Sequence, residues 1–228
     1  HCISSAASDV YKRQAIENAT VDGSLVYMPW QNNITAMVYR KDLFEEKGIQ
    51  VPKTWDEFLE AAKALTEDLD GDGKMDRYGC VFAGTRNDSA ESRFQTFALT
   101  YGCDFVTENG DGTFTSGFGT DAYRNAMTSF IDLAANKGVT PPGLIETGYS
   151  EAYTMIAADQ ACMFFSASNV LGGIYNANPE MRGKMGSFRM PTAEGVDPVT
   201  SFSSVGMTVS STSVSYTHLR AHETRHDL

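Results

Sequence analysis

The sequence predicts an α/β fold, a central sheet whose strands alternate with helices along the chain. Three observations carry that prediction. Short apolar, strand-like runs recur at residues 25–29, 35–39, 78–83, 161–165, 187–191 and 205–210. Segments with helical spacing of apolar residues fall between most of them. Residues 39–66 then supply dense local punctuation of the kind that fixes helix ends. No internal repeat or low-complexity linker interrupts this order.

The 39–66 segment reads as a strand end, a short helix, a turn and a capped amphipathic helix. Gly48 closes the first helix, since glycine enters the left-handed C-terminal conformation without a side-chain clash. Pro52 keeps Val51 out of helical geometry. Thr54 and Glu57 form a capping box, and Phe58, Leu59, Ala62 and Leu65 follow on one face. Upstream, Trp30, Gln31, Asn32 and Asn33 read as a polar, aromatic loop between two strands. Downstream, residues 89–101 are predicted helical with Phe94, Phe97 and Ala98 inward. The Asn109-Gly110 and Asp111-Gly112 pairs mark a hairpin or extended loop. Residues 120–137 are predicted helical with Tyr123, Met127, Phe130, Ile131 and Ala134 inward, ended by Gly138 and Pro141-Pro142. Shorter helices are expected at 150–159 and 169–178.

Bulk properties narrow the function classes. The 228 residues are 42% hydrophobic and 11% aromatic, enough for a substantial core. A net charge of −11 argues against nucleic acid or an anionic membrane as the main partner. No apolar run of membrane-spanning length is present, and the first residues lack the pattern of a signal peptide. The four cysteines, Cys2, Cys80, Cys103 and Cys162, have no metal-ligand or CxxC spacing. Buried free thiols are expected, with a Cys80–Cys103 disulfide left open.

Residues 39–58, Y-x-K-D-L-F-E-E-x-G-I-x-x-P-K-T-W-D-E-F, closely resemble the central signature of family 1 extracellular solute-binding proteins, the sugar receptors of ABC importers. The element order of residues 25–210 resembles that family throughout. The resemblance implies a periplasmic-binding-protein-like α/β fold, mostly the C-terminal lobe with hinge strands and a fragment of the N-terminal lobe. It divides the chain into a remnant of the N-terminal lobe and first hinge at 15–35, the C-terminal lobe at 36–203, and a returning hinge strand at 204–213. Residues 1–14 and 214–228 resemble translated sequencing adaptor and are expected to lie outside the fold. On that reading the natural segment is truncated at both sides, and residues 15–213 alone bind ligand poorly.

A sugar receptor needs flat apolar faces for pyranose rings and planar polar groups for pairs of hydroxyls. By resemblance, the ligand contacts are Trp30, Asn32 and Asn33, then Arg93 and Phe94, then Tyr149, Ser166 and Asn169. At Asn169 many relatives carry tryptophan, so this chain departs from the maltodextrin pattern there. The resemblance also implies hinge closure on a sugar or oligosaccharide, ABC permease subunits as partners, and a monomeric receptor. It places the protein in the periplasm or lipid-anchored on the outer face of the membrane.

Two metal readings arise. Asp68, Asp70, Asp72, Gly73 and Asp76 match EF-hand positions 1, 3, 5, 6 and 9, but Gly79 stands where a bidentate acid belongs at position 12. No cofactor is required by this reading, and Ca²⁺ at the loop would be weak and structural. His218, His222 and His226, with Glu223, fall at helical spacing suited to zinc, but within the tail assigned to adaptor. Alternatives to a sugar receptor are a Ca²⁺-stabilised binding or adhesion module and a receptor for peptide or polyamine. No nucleophile elbow, P-loop, dinucleotide fingerprint or zinc-protease motif points to an enzyme.

Overall fold

A computed structural model describes residues 5–167 and 169–210, with side chains from residue 12 onward. It divides into a larger compact unit, Ile34–Ser201, and a smaller one made of the residues before and after it. The histidines at 218, 222 and 226 and Cys2 lie outside the described residues.

In the smaller unit, α1 (Ser5–Asn18) precedes a two-stranded hairpin of β1 (Thr20–Val21) and β2 (Ser24–Leu25). Asp22 and Gly23 turn the hairpin with positive φ. Helix α1 thus takes in residues 5–14, part of the stretch that the sequence assigns to adaptor. A correction concerns residues 30–33. They are not a loop, because β3 (Met28–Arg40) runs unbroken through them. Strand β9 (Phe202–Met207) pairs with β3 and gives its backbone groups partners. A polar composition signals a loop only where no neighbouring strand is available.

The larger unit is built on β3 and its neighbours, in the order β4–β7–β3–β8, where β4 is Tyr78–Cys80, β7 is Ala161–Ala167 and β8 is Met185–Phe188. Strands β4 and β7 are parallel, while β3 is antiparallel to both β7 and β8. Residues 161–166 are all buried, as a central strand covered on both faces requires. Helix α2 (Lys41–Lys47) ends at Gly48, whose φ of 65° is the expected left-handed cap. Helix α3 (Trp55–Leu65) opens on the Thr54–Glu57 capping box, with both reciprocal bonds formed. Its inward residues are Trp55, Phe58, Ala61, Ala62 and Leu65, with Leu59 half-buried. The Trp55 indole N–H donates to Thr100 Oγ1 at 2.8 Å, satisfying its polar atom inside the core.

Helix α4 (Asp88–Leu99) is capped by Asn87. The Asn-Gly and Asp-Gly segment is the turn of a hairpin, β5 (Val106–Glu108) with β6 (Phe114–Ser116). Helix α5 (Asp121–Ile131) runs into one π-helical turn over Asp132–Asn136. Of the predicted stripe, Tyr123, Phe130 and Ala134 pack against the core beside the fully buried Ala126 and Leu133, and Met127 is half-buried. Ile131 departs from it, being 49% exposed. Helices α6 (Tyr149–Ala157) and α7 (Val170–Ala177) flank β7 in sequence.

An ion-pair network closes the side of the sheet near the start of β7. Asp159, in a left-handed conformation at φ 63°, accepts from both Arg40 and Arg77. Arg40 also forks onto Asp42 at 2.8 and 2.7 Å, and Arg77 reaches Glu67 at 3.0 Å. Burial alone would lower the Arg40 pKa, but its bonds to Asp42 and Asp159 more than offset that and raise it. The same fork holds Asp42 below its usual range against the opposing effect of burial.

Candidate functional site

Parallel strands β4 and β7 direct their C-terminal ends to the same side of the sheet, the side on which α/β sheets present their loops to ligands. Four residues expected at the ligand meet there. Ser166 lies near the end of β7, and Asn169 is the N-cap of α7. Tyr149 is the first residue of α6, and Arg93 lies on α4. The Arg93 guanidinium stands 5.0 Å from the Tyr149 ring centroid, a cation–π contact.

The hydrogen bonds of this cluster run in one direction. Arg93 donates to Ser166 Oγ at 3.4 Å, Ser166 Oγ donates to the Tyr149 hydroxyl at 3.3 Å, and that hydroxyl donates to Asn169 Oδ1 at 3.3 Å. Ser166 is fully buried, Arg93 and Tyr149 are half-buried, and Asn169 is exposed. The other Arg93 terminal nitrogen donates to Ser89 O and to Ser92 Oγ. Its Nε is buried with no partner. Burial lowers the Arg93 pKa, opposed only by Tyr149.

Phe94, the next residue on α4, takes part in the core instead. It packs edge-on against Tyr123 and Phe130 while leaving one side on a cleft of 510 Å³. Thr85, Arg86, Asn87 and Glu91 line that cleft too. Sequence reasoning passed over them, although Asn87 carried an N-cap signal just before α4.

Trp30, Asn32 and Asn33 lie in the smaller unit, on β3. Trp30 is 74% exposed and, with Met28, Pro29, Asn32, Ile16 and Ala15, lines a concave surface of 280 Å³. It offers an open aromatic face. Asn33 Oδ1 accepts from Gln31 Nε2 at 2.6 Å, whereas Asn32 Oδ1 is buried without a partner.

In the acidic loop, carboxylate oxygens of Asp68, Asp70 and Asp76 lie within 4.8 Å of one another. Asp72 is not in that group; it accepts from Lys74 N at 2.8 Å and pairs with the Lys74 ammonium. The loop already satisfies much of itself. Asp68 accepts from Gly71 N and Gly73 N, and Asp76 Oδ2 from Leu69 N. Those backbone bonds, that of Gly73 foremost, hold Asp68 below the usual carboxylate range. At position 12 an acid is sterically barred. A Cβ on Gly79 would stand 2.0 Å from the carbonyl oxygen of Ala62 in α3.

This architecture matches part of the fold of known solute-binding proteins. An ABC transporter solute-binding protein from Thermotoga lettingae, bound with α-D-tagatose, superposes with a TM-score of 0.77 at 22% identity, covering 91% of this chain and 51% of that one. One from Agrobacterium radiobacter in complex with ribitol gives 0.76 at 21% identity, over 96% and 55%. In sequence, the polygalacturonan/rhamnogalacturonan-binding protein YtcQ of Bacillus subtilis is 35% identical over 123 residues, 53% of this chain and 24% of that protein. The model of the bacterial extracellular solute-binding protein family matches residues 4–215, and the chain belongs to that family. It spans about half the length of the solved structures it matches.

Proposed function

We propose that this chain is part of the substrate-capturing receptor of an ABC importer and that its ligand is a sugar or oligosaccharide. The observation that carries the reading is the Arg93–Ser166–Tyr149–Asn169 cluster on the side of the C-terminal ends of β4 and β7. A guanidinium, two hydroxyls and an amide held in one hydrogen-bonded row suit the paired hydroxyls of a sugar. Named relatives support the class without narrowing it, since they bind a ketose, an alditol and a pectic polysaccharide. Capture requires only that the ligand bind the closed receptor better than the open one; it then shifts the population toward closure. The receptor works in the periplasm or lipid-anchored outside the cell, as a monomer that delivers to permease subunits.

The gene product that contains this chain is the reagent for the test. A sugar present at a hundred times its Kd is expected to raise Tm by roughly 5–10 °C. Peptides and polyamines are expected to leave Tm unchanged. A shift with peptide or polyamine and none with any sugar would overturn the reading.

The acidic loop suits at most a weak structural Ca²⁺, held by Asp68, Asp70 and Asp76, because Gly79 cannot give way to the missing acid. Exchanging chelator for 1 mM Ca²⁺ is expected to stabilise the chain by no more than about 1.5 kcal/mol, the gain from a Kd near 10⁻⁴ M. A much larger gain in calorimetry would favour a Ca²⁺-stabilised binding module instead.

A further inference from the structure

The Arg93 side chain has an arrangement that neutral sugars do not explain. Its acceptors are a backbone carbonyl and two serine hydroxyls, all uncharged, and its Nε has none. Among the described residues no carboxylate forms an ion pair with it, although Arg40, Arg77 and Arg124 each have one. The chain carries 29 acidic residues against 18 basic, so acids were available. A cation held half-buried on an aromatic face without a counter-ion is costly, and a carboxylate arriving with a ligand relieves that cost. The neighbours Ser166, Tyr149 and Asn169 are polar but uncharged, so nothing in the cluster repels an anion.

Resting on the sugar-receptor reading above, we propose that this cluster selects sugars bearing a carboxylate, namely hexuronates and their oligomers, and that Arg93 is the specificity-determining residue. The ligand carboxylate takes the place of the missing counter-ion. Tyr149 lies against one face of the guanidinium, and with Nη1 donating to Ser89 and Ser92 and Nη2 to Ser166, the side of Nε and the second N–H of Nη2 remain for the carboxylate. Asn169 keeps its amide N–H groups for the sugar hydroxyls, since its Oδ1 already accepts from Tyr149.

The test compares three probes of one shape on the gene product containing this chain: a trigalacturonate, its fully methyl-esterified form, and the neutral galactose trimer. Glucuronate and mannuronate trimers with their esters run in parallel, so that epimer choice does not hide the effect. Calorimetry is expected to show at least one acid binding about 10- to 100-fold more tightly than its ester, the range for a hydrogen-bonded charge. Arg93→Gln is expected to bring that ratio to about one. Arg93→Lys, which keeps the charge but loses the planar fork, is expected to fall between. The wild-type ratio needs no variant, so misfolding of either substitution leaves the proposal exposed to refutation. Equal or tighter binding of ester and neutral sugar by the wild type overturns this proposal and leaves the sugar receptor standing. Failure of every sugar while another solute binds overturns both.

Discussion

Gly79→Ala is expected to prevent stable folding of the larger unit, with a loss above about 4 kcal/mol and a Tm drop of 10 °C or more. Strand β4 lies directly on α3, with no side chain between them at this point. A Cβ there would meet the Ala62 carbonyl oxygen at 2.0 Å and its carbonyl carbon and Cα at 2.5 Å, all of them backbone atoms. No rotamer change relieves such a contact. The helix must move off the sheet, taking buried Phe58, Ala62 and Leu65 with it. Gly172→Ala is the matched control. It lies inside α7 with no atom near its missing Cβ, so alanine there should stabilise by about 0.5–1 kcal/mol. Thermal melts of the two variants check the pair. Similar Tm values for both would show that the close approach of β4 to α3 does not control stability.

Asp159→Ala is expected to cost about 3 kcal/mol. One carboxylate serves two arginines there, and the Arg40 side chain is only 5% exposed. Removing a shared partner leaves charge uncompensated in a poorly solvated place, an effect of about 3–5 kcal/mol when burial is complete. Asp159 is itself 39% exposed, so water recovers part of that loss. Alanine at φ 63° adds back about 1 kcal/mol of strain. Asp159→Asn keeps an acceptor and tolerates the left-handed conformation, so about half the effect is expected. Denaturant melts distinguish the two. An alanine variant within 1 kcal/mol of the wild type would show that Asp42 and Glu67 suffice to compensate the arginines.

Local chemistry was legible in the sequence wherever one short segment determined the outcome. The Thr54–Glu57 box and the Gly48 cap each depend on a few neighbouring residues and formed as predicted, and of the hairpin or extended loop expected around the Asn-Gly and Asp-Gly pairs the hairpin formed. Misreadings arose where a distant partner decided. Residues 30–33 are strand because β9 runs beside β3, and no local pattern announces a partner about 170 positions away. The stripe of α5 was largely right, with Ile131 alone among its residues left exposed. The candidate cluster divides in the same way. Tyr149, Ser166, Asn169 and Arg93 came from family resemblance, and the structure brings all four to one side of the sheet. That Arg93 lacks a carboxylate partner is a statement about three-dimensional neighbours, beyond any reading of spacing. Gly79 stood out in the sequence only as a missing Ca²⁺ ligand. Its packing against α3 explains why an acid never fitted.

Cys80, Cys103 and Cys162 are buried free thiols. Cys80 and Cys162 sit on neighbouring parallel strands but one register position out of phase, so they project from opposite faces of the sheet, toward Val139 O and Leu65 O. Burial pushes Cys162 up to about 12 and Cys80 well above the usual thiol range. At pH 7 both are held as thiols, and the thiolate is the form that reacts with electrophiles. These strands therefore offer almost nothing to maleimide or iodoacetamide dyes. A single cysteine introduced on the surface, with Cys2 replaced by serine, would carry a fluorophore without rebuilding the interior.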